Sequence, residues 1–98
     1  MNVAQAKTKD ELGYNGWSSY ETWLVNLWLG SDEGYYRQLR DIVTSLGSLR
    51  DQADALQDWL EQEVQDLGVS GLWSDIISSA LWRVNYYEIV EANQEGES

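Results

Sequence analysis

Apolar positions along this chain recur at steps of three and four residues, the period of an α-helix that buries one face. Glycines and small polar residues separate the apolar runs, and no strand-like alternation is long enough to compete. The pattern predicts helices at residues 19–29, 32–46, 49–67, 72–83 and 86–92. Because the joints are short, we expect an all-α fold, a compact antiparallel bundle of four main helices plus a short C-terminal helix.

Capping residues stand at the predicted helix boundaries. Ser18 and Glu21 have the spacing of a capping box at the start of the first helix, and Gly30 is predicted to end it. Ser48 and Asp51 have the same spacing before the third helix. The remaining predicted starts and stops are Ser31, Gly47, Gly68 and Asn85.

The apolar seams predict which faces are buried. The first helix is apolar nearly all round, which is typical of a helix at the centre of a bundle. The predicted seam of the third helix consists of Leu49, Ala53, Leu56, Leu60, Val64 and Leu67. The predicted seam of the fourth helix consists of Trp73, Ile76, Ile77, Ala80, Leu81 and Val84. Trp82 falls on the opposite side of that helix.

The 98 residues are enough for one domain with a modest core. We expect a flexible N-terminal arm at residues 1–13, a single helical domain at 14–92 and an acidic C-terminal tail at 93–98. The N-terminal residues lack the apolar segment of a secretory signal, and no apolar run approaches the roughly 20 residues that span a bilayer. A cytoplasmic protein is expected.

Composition removes most catalytic chemistry. The chain contains no cysteine and no histidine, which excludes Cys- or His-based zinc sites and Ser-His-Asp or Cys-His catalysis. Carboxylate pairs of the glycosidase type remain open on residue type alone, but these acids are expected to be exposed, with nothing to shift a pKa. The sequence therefore predicts a protein that is not an enzyme, with no catalytic residues, no cofactor and no metal.

The acidic residues of the third helix are the first candidate for function. Seventeen Asp and Glu against six Lys and Arg give a formal net charge of -11, so a partner bound by charge is basic. Carboxylates one helical turn apart lie about 6 Å from each other, close to the phosphate spacing of one DNA strand. The four that share a face opposite Leu56, together named the acidic face, are Asp51, Asp54, Asp58 and Glu61. Glu63 and Asp66 add charge, and the alternative is a merely solvated helix surface.

The aromatic residues are the second candidate. Trp82 and Trp17 are expected to be partly exposed, and exposed Trp often marks an interface. A homodimer through Trp82 and the pair Tyr86–Tyr87 is one interpretation, and cover by the arm or the tail is the other. Glu21 is expected to cap its helix, with a binding role as the alternative.

The string YNGWSSYETWLVNLW, residues 14–28, resembles the signature YNGW-x-x-YETW-x-x-NLW of a family of small phage, prophage and plasmid proteins without an established activity. The resemblance continues with Asp32-Glu33-Gly34-Tyr35. A second similar block consists of Ala80-Leu81, Val84-Asn85-Tyr86 and Glu88-Ile89. The resemblance covers most of residues 14–90 and implies a shared fold module, not a site.

The resemblance also implies a mobile-element context, in which small acidic proteins often inhibit host defence. If a phage encodes the protein, the expected location is the host cytoplasm. Some of them mimic DNA and block restriction enzymes or CRISPR complexes, whose nucleic-acid channels are basic. The leading hypothesis is a non-enzymatic anti-CRISPR or antirestriction protein whose partner is a basic nucleic-acid-binding host protein or complex, with no direct nucleic-acid or membrane binding. The alternative is a helical interaction or scaffold module that assembles through an aromatic surface.

Overall fold

A computed structural model describes residues 16–94, and within this range the chain is all-helical, without strands. The helices are α1 (Tyr20–Ser31), α2 (Glu33–Val43), α3 (Leu49–Leu67), α4 (Leu72–Trp82) and α5 (Tyr86–Ala92). The all-α prediction is confirmed for this part of the chain. The predicted arm and residues 95–98 of the predicted tail lie outside the described residues.

Helix α3 has the predicted bounds because its two ends are fixed by local chemistry. The Ser48 hydroxyl accepts from the Asp51 amide at 3.1 Å, and the Asp51 carboxylate accepts from the Ser48 amide at 3.2 Å. This reciprocal pair is the predicted capping box. At the other end Gly68 has a φ of +72°, a left-handed conformation that favours glycine.

The cap of α1 differs from the prediction. Ser19, and not Ser18, accepts from the Thr22 amide at 3.0 Å, so the predicted capping box of Ser18 and Glu21 is wrong. Ser18 is occupied elsewhere, because its amide and hydroxyl both donate to Glu88. Glu21 therefore lies in the first turn without closing the cap.

The boundary between α1 and α2 also lies later than predicted. Gly30 stays inside α1, which continues to Ser31, so both the predicted stop and the predicted Ser31 cap are wrong. Asp32 serves both helices, because its amide donates to the Trp28 carbonyl at 3.1 Å while its carboxylate accepts from the Tyr35 amide at 3.0 Å. Ser and Asp are comparable N-cap residues, so Asp32 caps α2 because α1 continues through Ser31.

Helix α2 ends three residues before the predicted end at Leu46. The Thr44 and Ser45 hydroxyls donate to the Arg40 and Ile42 carbonyls at 2.6 Å, and such side-chain bonds compete with helix continuation. Leu46 follows outside the helix and is 97% exposed.

The core lies where α5 packs against α3, with α1 and α2 completing it. The buried apolar residues are Leu29, Leu39, Ile42, Val43, Ala53, Leu56, Val84, Tyr86, Ile89 and Val90. Three of them belong to the seven-residue α5, whereas α1 buries only Thr22 and Leu29. The expectation that the first helix occupies the centre is therefore wrong. The apolar residues of α1 surround the helix and most of them stay partly accessible, whereas α5 buries three of its seven residues.

Helix α4 lies at the edge and has no buried residue. Its predicted seam is wrong at Trp73, Ile76 and Ala80, which are exposed, whereas Ile77 and Leu81 are half-buried. The packed part of the molecule thus consists of α1, α2, α3 and α5, and the antiparallel four-helix arrangement stays a prediction.

Candidate functional site

The acidic face occupies the solvent side of α3. Asp51, Asp54, Asp58 and Glu61 are exposed, while Leu56 on the opposite side is fully buried. Within residues 16–94 the ion pair present joins Arg37 to Glu33 on α2, so no α3 carboxylate is neutralised by a salt bridge in this range. Uncompensated charge on a rigid helix is suited to binding a basic surface.

The four acids of this face differ in how free they are. The Asp51 carboxylate is committed to the helix cap, and Glu61 accepts from the Gln57 amide nitrogen at 2.9 Å, one turn away. Asp54 and Asp58 complete the exposed row. A partner can displace the Gln57 contact at small cost, but a change at Asp51 also disturbs the start of α3.

Glu63 and Asp66 lie apart from this row. Glu63 is half-buried on the inner side of α3, where its carboxylate accepts from the Tyr35 hydroxyl at 3.4 Å. The pKa of Tyr35 is raised, mainly by the negative charge of Glu63 and to a smaller extent by burial. Asp66 is exposed and accepts from the Gln62 amide nitrogen at 3.1 Å.

Trp82 lies beside the acidic face and is 88% exposed. Two open depressions meet at this side chain. One, of about 550 Å³, is also lined by Asp54, Arg50 and Arg83, and the other, of about 400 Å³, is also lined by Glu61. The structure therefore brings together three of the residues singled out from the sequence, namely Asp54, Glu61 and Trp82.

The predicted dimer patch is only partly available. Tyr86 is buried, and its hydroxyl donates to the Leu81 carbonyl at 3.3 Å. The pKa of Tyr86 is raised to about 12, mainly by burial and to a smaller extent by the negative charge of Glu61. Tyr87 is 44% exposed and lines the same depression as Trp82, so the exposed aromatic pair is Trp82 with Tyr87.

The first Trp of the signature has a packing role. Trp17 is half-buried against the core, and together with Gly16 it lines a shallow depression beside Glu88, Glu91 and Ala92 of α5. Trp17 thus joins the start of the described chain to its last helix.

A hydrogen-bonded junction between α1 and α5 was not foreseen from the sequence. The Ser18 hydroxyl donates to the Glu88 carboxylate at 2.7 Å, and the Ser19 hydroxyl donates to the Arg83 carbonyl at 2.9 Å. Thr22, fully buried, accepts from the Asn85 amide at 2.9 Å.

The junction joins the two segments of the chain on which the resemblance rests. Ser18 donates to the Glu88 carboxylate and Thr22 accepts from the Asn85 amide, both within residues 84–88. Ser19 donates to the carbonyl of Arg83, the residue directly before them. In the sequence these positions are small hydroxyl residues among large aromatic ones. Their hydrogen bonds within the chain indicate a structural role and not a ligand site.

The second unforeseen feature is a groove of about 470 Å³ on the inner side of α3. Named the apolar groove below, it has walls formed by Leu24, Val25, Trp28, Leu60, Val64 and Leu67. Tyr35 and Glu63 supply its polar groups. The sequence placed these apolar residues in seams, and nothing in the pattern indicated that a gap remains between them.

In the described range no group of acidic side chains is arranged to hold a metal ion, and no helix between residues 16 and 94 is long and apolar enough to cross a membrane.

Comparison with known proteins gives one result. No curated protein and no solved structure matches the chain significantly. The model of a family of unknown function, DUF7249, matches residues 10–95, which include both blocks of the resemblance and all five described helices. The chain belongs to this family of unknown function.

Proposed function

We propose that this chain is a non-enzymatic binding protein of a mobile element that inhibits a host nucleic-acid-targeting defence complex by occupying its basic groove as a DNA mimic. The observation that carries the proposal is the exposed row Asp54, Asp58 and Glu61 beside the exposed Trp82. The phage and plasmid context rests on the resemblance of the signature, and the choice between CRISPR and restriction complexes follows from the target.

Occlusion follows from charge and geometry. Carboxylates spaced about 6 Å apart along α3 meet Lys and Arg side chains that otherwise bind successive phosphates. Trp82 stacks on an arginine of the same groove, a cation–π contact that gains strength when water is excluded. No bond is made or broken, so inhibition is stoichiometric and reversible.

The test is a triple substitution, Asp54→Asn, Asp58→Asn and Glu61→Gln, that leaves the cap residue Asp51 in place. The matched control removes the same charge elsewhere, with Asp41→Asn, Asp75→Asn and Glu91→Gln at exposed positions. DNA binding and cleavage by purified CRISPR and restriction complexes are measured with each protein over a salt series. We expect the wild type and the control to inhibit, with weaker inhibition as salt rises, and the triple variant to lose inhibition while remaining folded.

A folded triple variant that still inhibits contradicts the mimicry mechanism. Equal loss in the control variant shows that total charge matters and that the α3 row does not. Inhibition that does not change with salt also counts against the proposal, because phosphate-like contacts are screened.

A second candidate function, assembly through an aromatic surface, is favoured by the exposure of Trp82 and Tyr87 on one depression. In that case Trp82→Ala disrupts a complex that survives high salt, and the triple acidic variant leaves the complex intact. Sedimentation at low and high salt distinguishes the two functions.

A further inference from the structure

The apolar groove has the form of an unfilled helix-packing site. Leu24 and Trp28 form one row at a four-residue step on α1, and Leu60 and Val64 form a row with the same step on α3. Such rows are the ridges between which another helix places its own side chains. At the open end Trp28 is 58% exposed and Leu67 is 67% exposed, an extent of solvent contact unusual for adjacent large apolar residues.

The charge around the groove selects the occupant. The charged residue in its lining is Glu63, and none of the arginines in residues 16–94 lines it. The whole chain carries a formal charge of -11, which disfavours acidic or anionic ligands. A second copy of this chain brings the same negative charge, so a homodimer through the groove is opposed by repulsion.

We propose that the apolar groove binds an amphipathic helix of a partner protein, with Lys or Arg beside its apolar stripe. The apolar side chains of that helix fill the space between α1 and α3, and a cationic side chain pairs with Glu63 at the groove wall. This binding mode resembles other helix-in-groove interactions, in which anchors at three- and four-residue steps carry the affinity. The proposal does not depend on the residues of the acidic face, which lie on the exposed side of α3. The apolar groove shares Val64 and Leu81 with the depression at Glu61 and Trp82.

The probe is a synthetic helix of about 15 residues, long enough for partial helicity, with Leu at helical spacing and Lys elsewhere. Two matched peptides are used, one with Glu in place of Lys and one with the Leu and Lys order scrambled. Binding to the full chain is measured by fluorescence anisotropy of the labelled peptides. We expect the Leu/Lys helix to bind at least about tenfold more tightly than either matched peptide, because anchors and charge act together.

Variants of the protein locate the site. Leu67→Ser and Trp28→Ser remove exposed groove side chains and are expected to weaken binding about tenfold each, as loss of an interface anchor does. Glu63→Gln removes the expected ion pair and weakens binding to a smaller extent. Leu46→Ser is the control, because Leu46 is 97% exposed and lies outside the groove, and it leaves binding unchanged.

Several results overturn the proposal. Equal binding of the scrambled peptide reduces the interaction to general attraction between opposite charges. Equal effects of Leu67→Ser and Leu46→Ser on peptide affinity show that the peptide does not bind in the groove. A concentration-dependent dimer that Leu67→Ser abolishes makes a second copy the occupant. The triple variant Asp54→Asn, Asp58→Asn and Glu61→Gln is expected to bind the Leu/Lys helix more tightly than it binds the scrambled peptide. Failure of the groove proposal is therefore distinguishable from failure of the proposed function.

Discussion

Replacement of Thr22 by valine tests whether the junction between α1 and α5 holds the fold together. Thr22 is fully buried, and its hydroxyl oxygen lies 2.7 Å from the Ser19 hydroxyl and accepts from the Asn85 amide at 2.9 Å. Valine has nearly the same shape and similar helix propensity, so the change removes the hydroxyl without opening a cavity. Ser19 keeps its bond to the Arg83 carbonyl and its cap of α1.

The expected cost follows from the Asn85 amide, which loses its partner. The bond from the Asn85 amide is part-buried, and Thr22 also loses its bond with the Ser19 hydroxyl. At about 0.5–1.5 kcal/mol for each hydrogen bond, the expected cost is about 1–3 kcal/mol. A domain of this size has a total stability of roughly 5–15 kcal/mol. We therefore expect Thr22→Val to remove a substantial part of the free energy of unfolding, with a fall in Tm of about 4–8 °C for each kcal/mol.

The assay is urea unfolding followed by circular dichroism, with Thr44→Val as the matched control. Thr44 is exposed and follows α2, and its hydroxyl donates to the Arg40 carbonyl in that helix. Removal of that hydroxyl strands no buried donor, and a change within about 0.5 kcal/mol is expected. A Thr22→Val variant as stable as the Thr44→Val variant would falsify the argument that the junction is structural.

Two further predictions concern titration and capping. The pKa of Tyr86 is raised to about 12 in the folded state, against about 10 in an unfolded chain. The fold therefore favours the protonated phenol, and this contribution to the free energy of unfolding is complete below pH 10 and is lost as the pH rises towards 12. Urea midpoints of the wild type should then fall more steeply over that range than those of Tyr86→Phe, and parallel curves contradict the assignment. Asp51→Ala removes the hydrogen bond from the Ser48 amide to the Asp51 carboxylate and should cost about 1 kcal/mol. Asp54→Ala on the same face should leave the urea midpoint nearly unchanged. Equal midpoints for these two variants refute the distinction.

Features decided by neighbouring residues were predictable from the sequence. The bounds of α3 follow from Ser48, Asp51 and Gly68, all within the helix ends themselves. The exposure of the acidic face follows from the same period, because a helix with one apolar side leaves the other side in water. The Asn85 cap of α5 was equally local, since its side chain accepts from the Glu88 amide three residues later.

Features decided by distant residues were not predictable. α1 and α4 are both strongly apolar, yet neither is the central helix, because the depth of burial depends on which faces find a partner. The seven residues of α5 gave a weak periodic signal but lie against α3 and α1. The apolar groove is a gap between seams, and periodicity records the seams without recording the distance between them.

Asp32 shows how two adjacent signals can compete. Gly30 and Ser31 together resemble a helix stop and a helix cap, but glycine ends a helix only where the backbone turns left-handed, and Gly30 does not. The carboxylate one residue further along takes the cap instead.

The depression that Gly16 and Trp17 share with Glu91 and Ala92 has a topological consequence. The two ends of the described segment lie side by side, so its path from residue 16 to residue 94 nearly closes into a ring. The ring can then be joined at this point by a short linker and opened at another exposed turn, such as the one that contains Gly71. In such a permuted chain a peptide linker connects α5 to α1. Because its new ends also lie close together, the domain with its acidic face and apolar groove can be inserted into a single loop of another protein.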